Sequence, residues 1–321
     1  MAAENLTADT PAAKPSDRNG HRGLSVWTCA KFVLVRGFLW AWARCFSLKG
    51  LYLFGQFFGT CEWLINYKRR RRFRRHVERI FGQALDSADN PSSRWACLQH
   101  FTRTRCDKLF YLIFDKLPRE KILHRVKFHG RDVLDEALGR NKGAYICMSH
   151  VGSHHVSVLL MALMGYRVAG VRDRNEGALR RYVQQKDEER FPELRAIRML
   201  YADSFPRDVY RCFRDGFVLG SALDVTRDRG PHLRTTTVTM FGQRREFLTG
   251  PIQIALRCGA PIVQGFVVSR KNFYFHLIIQ GPLIDPDTAV DEPAMLNQVM
   301  QRYADNVADH LTRHPDHLSK S

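Results

Sequence analysis

The stretch Lys142-Gly143-Ala144-Tyr145-Ile146-Cys147-Met148-Ser149-His150-Val151-Gly152-Ser153-His154-His155 decides how the chain is read. A glycine, a short unbroken apolar run and then a polar break form the pattern of a strand buried on both faces, here Gly143 to Met148. Val156 to Met164 follows as an apolar helix closing at Gly165, and Tyr166 to Val171 (YRVAGV) reads as the next strand. Strand, helix and strand make the unit of an α/β protein. Ser149 to His155 then lie at a strand's carboxyl end, where such folds hold reactive groups and where free amides can meet an oxyanion or a phosphate.

Further strand character lies at Phe217 to Ala222 (FVLGSA), Thr235 to Met240 (TTTVTM), Ile262 to Val268 (IVQGFVV) and Phe273 to Ile279 (FYFHLII). Thr249-Gly250-Pro251 reads as the start of a helix ending at Cys258-Gly259, with proline in its first turn and glycine past its last. Upstream, Arg79 to about Arg140 has a helical texture, with a loop at Asp86 to Ser93 and an amphipathic segment around Trp95 to Leu117. The fold class is therefore α/β, a mixed sheet flanked by helices. The expected domains are a disordered lead-in over residues 1–24, amphipathic, aromatic and basic helices over 25–80, and an α/β domain over 81–321.

With 321 residues, 45% hydrophobic and 26% charged, the chain can bury a large core, and a wholly disordered basic tail protein, a collagen-like chain and a polytopic membrane protein are excluded. Lys and Arg number 50 against 32 Asp and Glu, a formal charge of +18, which calls for an anionic partner: nucleic acid, an anionic lipid surface, or an acidic carrier or substrate. The eight cysteines, at 29, 45, 61, 97, 106, 147, 212 and 258, show neither a C-x-x-C pair nor metal-ligand spacing, and read as reduced thiols. The first residues lack the charged-then-apolar pattern of a signal peptide.

Ser25 to Tyr67 is rich in Trp and Phe, but Lys31, Arg36, Arg44, Lys49 and Glu62 break it into runs shorter than a membrane span wants. It reads as one or two helices lying in a membrane interface, aromatics inward and cations at headgroup level, with a pair of core helices and a true span as the alternatives. Next comes Lys68-Arg69-Arg70-Arg71-Arg72-Phe73-Arg74-Arg75, in a window that supplies a net six of the eighteen excess charges. Lys68, Arg69, Arg70, Arg71, Arg72, Arg74 and Arg75 could dock on anionic membrane lipid or an acidic carrier, or simply form a solvated helix face. No nucleic-acid partner is expected, since no recognisable nucleic-acid motif or stacking platform accompanies the run.

The segment Lys142 to Ser153, followed by LLMALMGYRVAGVRDR, resembles the lipid A biosynthesis acyltransferase family of lauroyl and myristoyl type, relatives of the glycerolipid acyltransferases. The likeness continues through Phe213-Arg214-Asp215-Gly216, the LDVTRDRG segment around Asp224, Val238 to Gly242, Thr249 to Val268, and the upstream helix KRRRRFRRHVERIFG. The resemblance implies transfer of a fatty acyl group from a thioester, on acyl carrier protein or CoA, to a hydroxyl of a lipid acceptor such as a lipid A precursor. It implies the cytoplasmic face of a bacterial inner membrane, and no cofactor or metal beyond the thioester co-substrate. His150 matches the family's catalytic histidine, the general base on the acceptor hydroxyl. Asp224 matches a family acidic position. Arg198, or Arg195, lies where the family places a positive residue, Arg227 and Arg229 could hold phosphate by forked hydrogen bonds, and Gly250 and Pro251 could let backbone approach the acyl chain or headgroup.

Two departures stand out. The family pattern is His-x4-acid, and counting on from His150 gives His155, which cannot offset the positive charge that develops on the base. The dyad is then weakened, or it recruits an acid such as Asp224 through space, or the chemistry is lost and the chain is a non-catalytic lipid- or carrier-binding relative. The terminal HLTRHPDHLSKS also stops where family members continue into an aromatic and basic segment, which bears on the acceptor site. Other readings of the histidines are weaker. His150, His154 and His155 have H-x3-H-H spacing but no convincing distal ligand, Ser153 lacks the G-x-S-x-G elbow of a serine nucleophile, and His232 reads as a turn residue.

Overall fold

The computed structural model describes residues 26–82, 93–172, 177–201, 206–224, 234–288 and 291–318. The expected lead-in and most of the expected Asp86 to Ser93 loop lie outside these residues.

The order is helix α1 (Val26–Cys45), α2 (Ser47–Ile65), α3 (Tyr67–Phe81), α4 (Ser93–Leu112), α5 (Arg119–Leu123), strand β1 (Val126–His129), α6 (Arg131–Gly139), β2 (Ala144–Met148), α7 (His154–Leu163), β3 (Val168–Arg172), α8 (Ala178–Arg190), α9 (Pro192–Arg195), β4 (Arg198–Tyr201), α10 (Arg207–Arg214), β5 (Val218–Ala222), β6 (Thr235–Met240), β7 (Gln243–Leu248), α11 (Gly250–Cys258), β8 (Ile262–Arg270), β9 (Tyr274–Gln280) and α12 (Pro293–Arg313). Seven strands form one sheet in the order β1-β9-β8-β2-β5-β3-β4, and β6 and β7 form a separate hairpin. Only the β8–β9 pairing within the sheet is antiparallel, so the sheet is mixed, as the sequence pattern requires.

β2 runs through the centre, and its pleat divides the core. Tyr145 and Cys147 point into one apolar cluster with α3, α10, α11, α12 and the hairpin, whereas Ala144, Ile146 and Met148 point into a second with α1, α2, α4, α6 and α7. A strand covered on both faces has no use for polar residues at alternate positions, which is why this run is continuously apolar.

Three strands escape the sequence reading. β1 (VKFH) is an edge strand of four half-exposed residues inside a region read as helical, and β4 (RMLY) is the opposite edge, also four residues long. In β7, the first four residues, Gln243, Arg244, Arg245 and Glu246, are all polar or charged, and the alternation is hidden. β7 forms because Phe241 and Gly242 both take positive φ, 53° and 71°, the two-residue turn whose twist suits a hairpin.

The aromatic N-terminal segment is two helices, and neither they nor any other helix among the described residues is long and apolar enough to cross a membrane. Each buries one side. Leu39, Leu48 and Leu51 join the core, while Trp27, Leu34, Phe38, Phe46, Leu53 and Phe57 remain exposed. α2 crosses α4 at Gly55 and Gly59: a Cβ on Gly59 would stand 2.6 Å from the Thr102 Cα, and one on Gly55 would stand 2.9 Å from the Cys106 sulfur. Arg36 departs from its expected place at headgroup level. It is 3% exposed, paired with Asp115, and donates to the Leu112 carbonyl at 2.8 Å, because a cation on the inner side of α1 must find a carboxylate. All eight cysteines are free thiols.

Candidate functional site

The carboxyl end of β2 is held from below. The Met148 carbonyl accepts from the Leu223 amide at 3.1 Å and from the Tyr303 hydroxyl at 2.9 Å, and that hydroxyl also lies 2.6 Å from Ser149 Oγ. Ser149 and Tyr303 are buried, so α12 clamps the residue immediately before His150. Parallel pairing of β2 with β5 sets Met148 opposite Ala222, and the two chains leave the sheet side by side, one towards His150 and the other towards Asp224.

The result is a close pair. Asp224 accepts the His150 amide with both oxygens, at 3.0 and 2.9 Å, and its Oδ1 lies 2.9 Å from His150 Nδ1. A carboxylate can only accept, so Nδ1 carries the proton and Nε2 keeps its lone pair. The imidazole is 45% exposed and the carboxylate 21%, so a substrate can reach the base while its partner is partly shielded. The carboxylate in contact with the His150 ring is thus Asp224, reached through space from the end of β5.

The loop beyond His150 is equally constrained. Gly152 has φ 61° and donates its amide to the His317 carbonyl at 2.8 Å, and a Cβ there would stand 2.5 Å from the Val267 carbonyl oxygen. Val151 makes an isolated bridge to Leu318. Ser153 is buried, its amide donates to Val267, and its hydroxyl meets Asp107 and, at 2.6 Å, Ser269. Asp107 also accepts from Ser269 at 2.7 Å and from Arg103 at 3.2 Å. The amides of Gly152 and Ser153 are thus already spent and are not available to an oxyanion, unlike the free strand-end amides that the sequence suggests.

His154 opens α7 and stands edge-on to His150, with ring centroids 5.1 Å apart. Burial pushes its pKa well below the usual histidine range, helped by neighbouring His155 and His150. His155 faces away, its ring 5.9 Å from that of Tyr111 on α4. Burial lowers its pKa to about 4, against the opposing pull of Asp107. Both imidazoles are neutral near pH 7.

The remaining expected residues divide. Gly250 and Pro251 form the first turn of α11, directly after Leu248, whose amide donates to the Leu223 carbonyl at 3.1 Å. They therefore follow the strand that is tied to the segment carrying Asp224. Arg198 does not join them. The strand register aligns it with Ala169, Leu219 and Tyr145, at the amino end of the parallel strands, where it pairs with Asp215 at 2.8 Å and stacks on Phe217 at 4.1 Å. Arg195 ends α9 and donates to the Glu188 carbonyl at 2.7 Å. Arg227, Arg229 and His232 lie outside the described residues. In the basic helix α3, Lys68, Arg71, Arg72, Arg74 and Arg75 are exposed. Arg70 lies over Trp63 at 5.2 Å. Arg69 is turned inward, paired with Glu62 and placed over the Phe101 ring at 4.5 Å, because Glu62 needs cations that Arg69 and Arg105 supply. Tyr303 and Asp107 escape sequence reasoning, since nothing in a helical pattern marks a polar residue as the support of a loop far along the chain.

The fold is thus an α/β sheet with an exposed histidine at the end of a central parallel strand and a carboxylate brought to it by the neighbouring strand. The chain belongs to the bacterial lipid A biosynthesis acyltransferases, whose family model matches residues 22–318. It is accordingly an acyltransferase-family protein associated with lipid A biosynthesis. A comparison with curated proteins gives no match.

Proposed function

We propose that the protein transfers a fatty acyl group from a thioester, on acyl carrier protein or CoA, to a hydroxyl of a lipid acceptor of the lipid A precursor type. The carrying observation is the contact between His150 Nδ1 and Asp224 at 2.9 Å in an imidazole that is 45% exposed. His150 Nε2 takes the acceptor hydroxyl proton as the oxygen attacks the thioester carbonyl carbon. Asp224 holds the Nδ1–H and offsets the imidazolium charge. Collapse of the tetrahedral adduct breaks the C–S bond, and the departing sulfur takes the proton from Nε2, leaving an ester and a free thiol. The exposed cations of α3 suit an acidic carrier or anionic headgroups, and the exposed aromatic side of α1 and α2 suits a membrane interface at the cytoplasmic face of a bacterial inner membrane.

The test is a purified assay with acyl carrier thioester and a lipid A precursor, read by product mass. His150→Ala is expected to fall to background, and Asp224→Asn to lose roughly 100- to 10,000-fold in kcat. Full activity in His150→Ala would remove the base. A wild-type protein that forms a complex with carrier or lipid but no ester would make the chain a binding relative.

A further inference from the structure

We infer that His314, Asp316 and His317, backed by His310, form a binding site for a divalent transition-metal cation of the zinc class. Among the described residues this is the group whose donor atoms converge: one nitrogen or oxygen from each of the three lies within 4.8 Å of the others. Donors around a tetrahedral ion with bonds of about 2.0–2.2 Å are roughly 3.4 Å apart, so modest side-chain closure completes the set. His150, His154 and His155, whose spacing attracts attention in the sequence, do not converge in this way, and His150 is committed to Asp224.

The local fold explains the convergence. His310 lies in the last turn of α12 and His314 one turn further on, and their rings are 5.0 Å apart. A single 3-10 turn over Pro315–His317 then folds the chain back, placing the His317 ring 4.8 Å from that of His314 and 5.2 Å from that of His310. His310 Nε2 and His317 Nδ1 are 3.1 Å apart and share one proton between them. With that proton on His317 Nδ1 and donated to His310, His317 Nε2 offers its lone pair, 3.9 Å from Asp316 Oδ2. A ligating imidazole whose other nitrogen donates to a fixed acceptor is the usual outer-sphere support of a metal site.

Asp316 is held in the same manner. Arg103 donates to its Oδ2 at 2.9 Å and to its main-chain carbonyl at 2.7 Å, and His100 Nδ1 lies 3.0 Å from that carbonyl. Arg103 also serves Asp107, so its charge is divided between two carboxylates and the second oxygen of Asp316 can turn to an ion. Because the His317 carbonyl accepts from Gly152 and Leu318 bridges Val151, a cation here would staple the terminal turn to the loop that follows His150. Its role is structural, and the inference stands independently of the reaction proposed above.

The experiment uses the full-length protein stripped with chelator and titrated with Zn2+ by calorimetry, with Co2+ as a spectroscopic probe. Expected are about one equivalent of tightly bound Zn2+, a higher melting temperature, and the intense visible absorption of tetrahedral Co2+. His314→Asn, at a half-buried position, should bind at least roughly tenfold more weakly, whereas His154→Asn should bind as wild type does. The site is overturned if wild-type protein takes up no stoichiometric Zn2+ and gives only the weak spectrum of six-coordinate Co2+. Undiminished uptake in His314→Asn, or loss of uptake in His154→Asn, would overturn it equally by moving the ion elsewhere.

Discussion

His150 stands out in the sequence at the end of an apolar strand and by its match to the family's histidine, with His155 one turn on and Asp224 through space as candidate partners. The choice between them could not be read, because Asp224 is 74 residues away in the chain. Sequence counting arrives at His155, and the structure sends that side chain to Tyr111 instead. The residue that decides the loop's shape is Gly152. Its positive φ and its approach to the Val267 and His317 main chains leave no room for a side chain. Gly152→Ala is expected to destabilise the protein by about 1–3 kcal/mol and to lower kcat along with melting temperature, measured by thermal unfolding and the acyl-transfer assay. A variant with unchanged stability and rate would show that the loop tolerates a Cβ.

Among elements, β2 and α7 could be read directly, because burial on two faces and on one face leaves different apolar patterns in the sequence. β1 and β4 could not, since a four-residue edge strand carries too little pattern to outweigh a helical neighbourhood. The α2–α4 crossing was likewise invisible, although Gly55 and Gly59 make it possible. Gly59→Ala should cost about 1–3 kcal/mol through overpacking against the α4 main chain, read as a lower denaturant midpoint. A second element contact carries its own pH signature. Asp187 on α8 is 0% exposed, and burial, with Asp115 close by and Arg36 opposing, raises its pKa to about 8. The native state therefore holds a proton that the unfolded chain releases above about pH 4, so stability falls as pH rises from about 4 to about 8. Asp187→Asn should remove this slope, at most about 1.4 kcal/mol per pH unit, and be the more stable protein at pH 8, with the advantage shrinking towards pH 4. Parallel stability curves for the two proteins across that range would contradict the assignment.

At the scale of the whole molecule, the charge of +18 is distributed with purpose. Part of it is internal, as in Arg36, Arg69 and Arg103, and the exposed cations of α3 follow directly on an exposed aromatic side of α1 and α2. Flotation with anionic vesicles should therefore show binding that weakens, without vanishing, in high salt. Leu34→Ser with Phe57→Ser should reduce it severalfold at an unchanged melting temperature. Binding equal to wild type in that double variant would place the membrane surface elsewhere. Local information, meaning apolar period, turn residues and the His150 motif, was enough to establish an α/β acyltransferase-like chain with a basic, aromatic N-terminal part, because strands and helices are selected by neighbours a few residues apart. Which carboxylate meets His150, which arginines turn inward, and how the last histidines gather against the loop after His150 were settled only by tertiary structure. Those contacts join segments many residues apart, and the strand order β8-β2-β5 and the closure of α12 over the sheet bring them together.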